Sequence, residues 1–188
     1  MAKVIEGMKS FEHLEFFQNG ISTRGMQQLF LSLKDNKDLQ VLKINDNFTK
    51  TALNDLIQIL PGFKRLKIID ISDSITEEKL GNKLGLDLFK ALSSIENLEE
   101  IYCNYNEITD KNTQKEIFEL LKKCKSLKIL QLKGNEINKN LVKKYEKDLT
   151  VDKLVCFSDN EEESEEEEKE EKKIDDLTKD IEKIDINK

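Results

Sequence analysis

The chain has 188 residues, of which 37% are hydrophobic and 37% charged, which is enough for one domain with a buried core. The formal net charge of −7 is uneven, because residues 159–188 hold 15 acidic and 6 basic side chains (−9) and the remainder carries +2. This balance argues against nucleic-acid and membrane-surface binding, and no stretch approaches the roughly 20 apolar residues of a membrane span. The chain has three cysteines, Cys103, Cys124 and Cys156. Their odd number and their lack of metal-ligand spacing indicate a reducing compartment.

One pattern recurs along the chain, Leu-x-x-Leu-x-Leu-x-x-Asn-x-Leu. It is complete in three copies, at Phe11/Leu14/Phe16/Asn19/Ile21, Leu98/Ile101/Cys103/Asn106/Ile108 and Leu127/Leu130/Leu132/Asn135/Ile137. The copy from Leu39 lacks one residue before its last apolar position, Phe48, and the copy from Leu66 has Ser74 in place of asparagine. The alternation of apolar residues predicts short strands near 14–16, 42–44, 69–71, 101–103 and 130–132. In each turn that follows, the asparagine side chain can bond the backbone.

A helical spacing follows each turn. The five sets are Met26/Leu29/Phe30/Leu33, Leu53/Leu56/Ile57/Leu60, Gly85/Leu88/Phe89/Leu92, Gln114/Ile117/Phe118/Leu121 and Asn138/Leu141/Val142/Tyr145. A strand and a helix in each period of about 28 residues predict an α/β leucine-rich-repeat solenoid, a ribonuclease-inhibitor-like horseshoe with a concave parallel sheet and convex helices.

The two ends differ from the middle. Met1, Val4, Ile5 and Met8 keep a helical spacing, so we expect the chain to begin inside a repeat whose strand is absent, as in a fragment or truncated product. The composition changes at Ser158, after which residues 159–171 are almost all acidic. We therefore predict a repeat domain over 1–157 and a largely disordered acidic tail over 158–188.

Few residues point to catalysis. His13, the single histidine, falls on an outward strand position, and no nucleophile with its base, phosphate-binding loop or metal cluster is present. We expect no enzyme activity, no metal and no cofactor.

The remaining candidate is a protein-binding surface. The strand positions that face outward on the concave side are predicted to carry His13, Glu15, Gln40, Lys43, Lys67, Asp70, Glu99, Tyr102, Lys128 and Gln131. The turns carry Gln18, Asn45, Asp46, Ser72, Asp73, Asn104, Tyr105, Lys133 and Gly134.

Three turn sequences carry a resemblance: QNGIS at 18–22, LQVLKINDNFT at 39–49 and LKGNEI at 132–137, followed by the acidic tail. In this order they resemble the late repeats of the Ran GTPase-activating protein family. The resemblance implies a partner, GTP-bound Ran with or without a Ran-binding protein, and a role in nucleocytoplasmic transport in the cytoplasm and at the nuclear envelope. It implies partner-binding residues Asn19, Arg24, Asn45, Asp46, Asp73, Asn104 and Tyr105.

The chain also departs from that family. The family's helper asparagine, which assists Ran's own catalytic glutamine, belongs to a repeat upstream of residue 1, and Asp73-Ser74 stands where the family has aspartate-cysteine. We therefore expect Ran binding with little GTPase activation. Two other classes stay open: an acidic leucine-rich nuclear protein that binds histones, whose repeats are shorter with little helix, and a generic cytosolic leucine-rich-repeat scaffold.

Overall fold

The computed structural model describes residues 10–47, 50–72 and 80–157, which form a six-stranded parallel sheet in chain order. The strands are β1 (His13–Glu15), β2 (Val41–Lys43), β3 (Ile68–Asp70), β4 (Glu100–Tyr102), β5 (Ile129–Gln131) and β6 (Lys153–Val155). The predicted repeat architecture is confirmed. Each of the five predicted strands begins and ends one residue earlier than the side-chain pattern suggested, because backbone hydrogen bonds define the strand and not the apolar spacing.

A helix follows each of the first five strands. The helices are α1 (Thr23–Leu33), α2 (Lys50–Ile59), α3 (Gly81–Leu92), α4 (Lys111–Leu121) and α5 (Lys139–Tyr145), with a one-turn 3₁₀ helix at Leu60–Gly62. Side chains cap three of the helix starts: Ser22, Asp110 and Asn138 each accept a hydrogen bond from the backbone N–H three residues later. Pro61 lies at the start of the 3₁₀ turn, so α2 ends before it.

The core lies between the sheet and the helices. The register aligns Leu42, Ile69, Ile101 and Leu130 in one fully buried row, and the predicted helix positions pack against this side of the sheet. Each such aliphatic side chain stabilises the fold by roughly 1.5–3 kcal/mol relative to exposure. Two predicted core positions, Ile57 and Val142, are only half-buried, and Asn138 is the cap of α5.

The first described repeat is less enclosed than the others. Phe11, Leu14, Phe16 and Ile21 are only half-buried, whereas the residues at the equivalent positions of the fourth and fifth repeats are buried. The helix predicted over 1–8 lies outside the described residues. The chain divides into two units, Met1–Cys156 and Phe157–Lys188, and Phe157 is the one described residue of the second.

Candidate functional site: the turn edge of the repeats

The turns after strands β1 to β5 lie side by side along one edge of the sheet. We call this row the turn edge; it comprises Phe17–Gln18, Asn45–Asp46, Ser72, Asn104–Tyr105 and Lys133–Gly134. Neighbouring turns are joined by backbone hydrogen bonds, such as Asp46 N–H to Ser72 O at 3.0 Å and Tyr105 N–H to Lys133 O at 2.7 Å. The parallel register of the strands therefore continues into the turns.

A repeated left-handed backbone shapes this edge. Gln18, Asp46, Tyr105 and Gly134 occupy the same place in the turns after β1, β2, β4 and β5, and each has a φ between 53° and 66°. L-residues adopt this region at an energetic cost unless the surrounding structure fixes it. The side chains of Gln18, Asp46 and Tyr105 consequently point in a defined direction from their turns.

The repeated asparagine supplies that constraint. Asn135 is fully buried, and its Nδ2 donates to the carbonyls of Cys103, Leu132 and Lys133 at 2.7, 3.0 and 3.3 Å. Its Oδ1 accepts from the N–H groups of Asn106 and Ile108 at 2.9 and 3.2 Å. One side chain thus satisfies backbone groups of two repeats, as the sequence predicted.

Asn47 and Asn106 form similar backbone hydrogen bonds along the turn edge, and we call these two residues and Asn135 the asparagine ladder. Asn47 donates to the carbonyls of Phe16 and Asn45 and accepts from the N–H of Asn19 at 2.7 Å. Asn106 donates to the carbonyls of Ile71 and Asn104, while its buried Oδ1 has no partner among the described atoms. In the sequence, the position of the preceding repeat that is equivalent to Asn19 and Asn106 is residue 74, which lies outside the described residues.

A second polar network joins three turns through side chains. Asn104 donates from its backbone N–H and from Nδ2 to Ser72 Oγ at 3.1 and 3.2 Å. Its Oδ1 accepts the N–H of Lys133 at 2.8 Å, and Nδ2 also lies 3.4 Å from Gln131 Oε1. Ser72 in turn donates its N–H to Asp70 Oδ1 at 3.0 Å. Asn104 is therefore held by its neighbours in one orientation.

Tyr105 is an exposed aromatic residue of the turn edge, with 46% of its surface accessible. Its ring lies directly over Gly134, where an added Cβ would come within 2.2 Å of a ring carbon. Because Gly134 has no side chain, the Tyr105 ring can pack directly against its backbone. A supported and exposed tyrosine is typical of a protein-binding hot spot.

The structure brings together most of the predicted partner-binding residues. Asn45, Asp46, Asn104 and Tyr105 lie on the turn edge, and Asn45 Nδ2 lies 3.4 Å from Asp46 Oδ2. Asn19 and Arg24 are exposed beside the first turn and in the first turn of α1. Asp73 lies outside the described residues.

The sheet face opposite the helices carries two outward rows. One row is Glu15, Lys43, Asp70, Tyr102, Gln131 and Val155, and the other is His13, Val41, Ile68, Glu100, Ile129 and Lys153. The second row corrects the sequence prediction, which assigned the outward positions to Gln40, Lys67, Glu99 and Lys128; these residues lie just before the strands. Strict alternation from the inward Leu42, Ile69 and Leu130 would have identified Val41, Ile68 and Ile129.

Some acidic side chains on this face form ion pairs with a described residue, and others form none. Glu15 forms an ion pair with Lys43 at 2.8 Å and accepts a hydrogen bond from His13 Nε2 at 2.8 Å. The hydrogen bonds from Lys43 and then His13 hold the pKa of its carboxyl below the usual value. Burial raises the pKa of Asp70, against the opposing effect of the hydrogen bonds from Ser72. Burial and the bond to Glu100 (2.7 Å) raise the pKa of the Tyr102 hydroxyl to about 12.

No group of three histidine, cysteine or acidic side chains suitable for a metal ion occurs in the part of the chain that the structure describes. None of the described helices is long and apolar enough to cross a membrane. The three cysteines are free and buried. Burial raises the pKa of the Cys103 and Cys156 thiols to about 12, so neither resembles an activated nucleophile.

Comparison with known proteins supports the fold and gives no family. No family model matches the chain, and no curated protein matches it. Among solved structures, the tropomodulin C-terminal domain of Caenorhabditis elegans is similar with a TM-score of 0.64 and 9% identity, over 79% of this chain and 90% of that one. An internalin C2 of Listeria monocytogenes matches over 84% of both chains at 13% identity, with a TM-score of 0.38. The similarity to the tropomodulin domain agrees with the leucine-rich-repeat solenoid.

Proposed function

We propose that this chain is a protein-binding module whose contact surface is the turn edge, and that its partner is the small GTPase Ran in the GTP-bound state. The observation that carries the binding role is the fixed presentation of Asn104 and Tyr105 by Ser72, Lys133 and Gly134. The chain acts in this proposal as the C-terminal part of a Ran GTPase activator, through contact with the GTPase and not through chemistry of its own.

The rigidity of the edge favours binding. A side chain that is already held in one orientation loses little conformational entropy when a partner arrives, and each rotamer-rich side chain that must be ordered costs about 0.5–1.5 kcal/mol. The amide oxygen, the amide nitrogen and the backbone N–H of Asn104 all form hydrogen bonds with neighbouring turns, so this side chain is ordered before any partner binds.

The identity of the partner rests on the resemblance of the turn sequences to the Ran GTPase-activating family. Four of the residues that the resemblance implies lie on one edge: Asn45, Asp46, Asn104 and Tyr105. The histone-binding alternative is less favoured, because the described helices α1 to α4 have 10 to 12 residues, whereas repeats of that class contain little helix.

A binding experiment separates the three classes. The full-length chain is immobilised, and its dissociation constants for GTP-loaded Ran, GDP-loaded Ran and core histones are measured by interferometry below and above about 0.15 M salt. We expect preference for GTP-loaded Ran, and a loss of at least about tenfold for Tyr105→Ala and for Asn45→Ala. The matched controls are Leu31→Ala, an exposed apolar residue of α1, and Asn112→Ala, an exposed residue of α4.

Equal binding of the two nucleotide states, or equal effects of the edge and control variants, would remove the Ran proposal. Preference for histones would support the alternative class, and binding to neither would leave a scaffold for another protein.

Activation is tested separately by single-turnover GTP hydrolysis on Ran. We expect little stimulation, because the resemblance places the helper asparagine upstream of residue 1, and losing one positioned polar group costs on the order of 100-fold in such sites. Strong stimulation by this chain would show that one of its own residues takes that role.

A further inference from the structure

A row of aliphatic side chains crosses the outward face of the sheet, separate from the turn edge. Val41, Ile68 and Ile129 are each the first residue of their strand and belong to the second outward row, and each remains partly exposed. We call these three residues the aliphatic strip. Their inward neighbours Leu42, Ile69 and Leu130 are fully buried, so the strip is not needed to complete the core.

Glu100 interrupts this strip between Ile68 and Ile129. It accepts a hydrogen bond from the Tyr102 hydroxyl at 2.7 Å and forms no ion pair with any described residue. Asp70, on the neighbouring strand, likewise has no paired cation among the described residues, since the nearby Lys43 is bound by Glu15. Asp70 is the partner of Tyr102 in the strand register, and Glu100 lies two residues before Tyr102 on β4; both carboxylates act on its hydroxyl electrostatically.

We propose that this face binds an amphipathic α-helix of a partner protein, with a lysine or arginine pairing with Glu100 and Asp70 and aliphatic side chains packing on Val41, Ile68 and Ile129. Charge selects this occupant, because two unpaired carboxylates around a tyrosine ring favour a cation both by ion pairing and by cation–π contact. The proposal does not depend on Ran, whose contact is assigned to the turn edge.

The spacing of the strands fits a helix. Adjacent strands lie about 4.8 Å apart and one helical turn rises about 5.4 Å, so a helix inclined by roughly 27° to the row presents one side chain to each strand. The row across β2 to β5 reads Val41, Ile68, Glu100, Ile129. The partner therefore has the order aliphatic, aliphatic, basic, aliphatic at one-turn intervals, read in either chain direction.

The test uses a phage-displayed library of helical 15-residue peptides, randomised at four positions one turn apart, selected on the immobilised full-length chain. We expect the recovered peptides to carry lysine or arginine at the third position, or at the second where the helix runs in the opposite direction, and valine, isoleucine or leucine at the other three. Their affinity, measured by fluorescence polarisation, falls at least about tenfold for Ile68→Lys and for Glu100→Lys. A second selection on Glu100→Lys recovers an acidic residue at that same position.

The control is Glu116→Lys, which reverses an exposed charge on α4 and leaves the affinity unchanged. Ile68→Ser and Glu100→Gln serve as milder variants should either lysine variant change the circular dichroism spectrum or the urea midpoint. The proposal is overturned if no peptides are enriched, if they lack this order, or if Ile68→Lys and Glu100→Lys bind them as well as the unaltered chain. Each of these outcomes leaves the Ran experiment unaffected.

Discussion

Replacing Asn135 by alanine tests whether the asparagine ladder holds the turn edge. The side chain makes five hydrogen bonds to backbone groups, three from Nδ2 and two to Oδ1, in a fully buried position. A typical intramolecular bond contributes about 1 kcal/mol net, and a buried group left without a partner costs about 1–3 kcal/mol. Allowing for partial relaxation, we expect Asn135→Ala to lower the free energy of unfolding by about 3–5 kcal/mol, a large part of a typical domain's 5–15 kcal/mol.

The matched variant is Asn19→Ala, at the same place in the first repeat. Asn19 is exposed, and its side chain donates a bond to the Phe17 carbonyl at 2.9 Å. We expect a loss below about 1 kcal/mol there, because water can replace that bond.

A third variant, Asn135→Asp, keeps the shape and replaces the donating nitrogen by an oxygen facing three carbonyls. We expect it to be at least as destabilising as alanine at neutral pH, and to recover partly in acid, where a protonated carboxyl can donate one bond.

The assay is urea unfolding followed by circular dichroism at 222 nm, with stabilities from linear extrapolation. A difference of less than about 1 kcal/mol between Asn135→Ala and Asn19→Ala would refute the ladder argument. So would an Asn135→Asp variant as stable as the unaltered chain at neutral pH.

Three further predictions follow from individual contacts. Gly134→Ala places a Cβ at a φ of 66° and against the Tyr105 ring, so we expect a stability loss of about 1–2 kcal/mol and weaker Ran binding, measured by urea unfolding and interferometry. Asp70 has a raised pKa in the folded state, so its contribution to stability is fully present below the unfolded pKa and is lost as pH rises through the folded pKa. The stability of the unaltered chain relative to that of Asp70→Asn should therefore fall between about pH 3.5 and 7, and an identical pH profile of the two urea midpoints would contradict this. Thiol reagents should modify the three buried cysteines, Cys103, Cys124 and Cys156, slowly in the folded chain and quickly in the urea-unfolded chain. Labelling is followed by mass spectrometry, and rapid labelling of the folded chain would contradict this.

The repeat architecture could be read from the sequence because the leucine-rich pattern repeats a local rule. Each copy specifies a strand, a turn and a helix from residues close together in the chain, and neighbouring copies bury each other's apolar sides. Core positions such as Phe30, Phe89 and Phe118 were identified for this reason, and all three are fully buried. The role of the turn asparagines also followed from their chemistry.

The details of the site required the three-dimensional structure. The sequence placed Asn104 and Tyr105 in a turn, but nothing in it linked Asn104 to Ser72, 32 residues earlier, or set the Tyr105 ring on Gly134, 29 residues later. These contacts arise from the register between repeats of unequal length, which no single repeat encodes.

The outward face of the sheet was likewise predicted only in part from the sequence. The pattern determined that one side of each strand is buried, but a one-residue shift in strand position decides which side chains point outward. The sequence interpretation therefore chose polar residues just before the strands and missed Val41, Ile68 and Ile129. Backbone pairing between strands fixes that position, so the tertiary structure alone revealed the aliphatic strip beside Glu100 and Asp70.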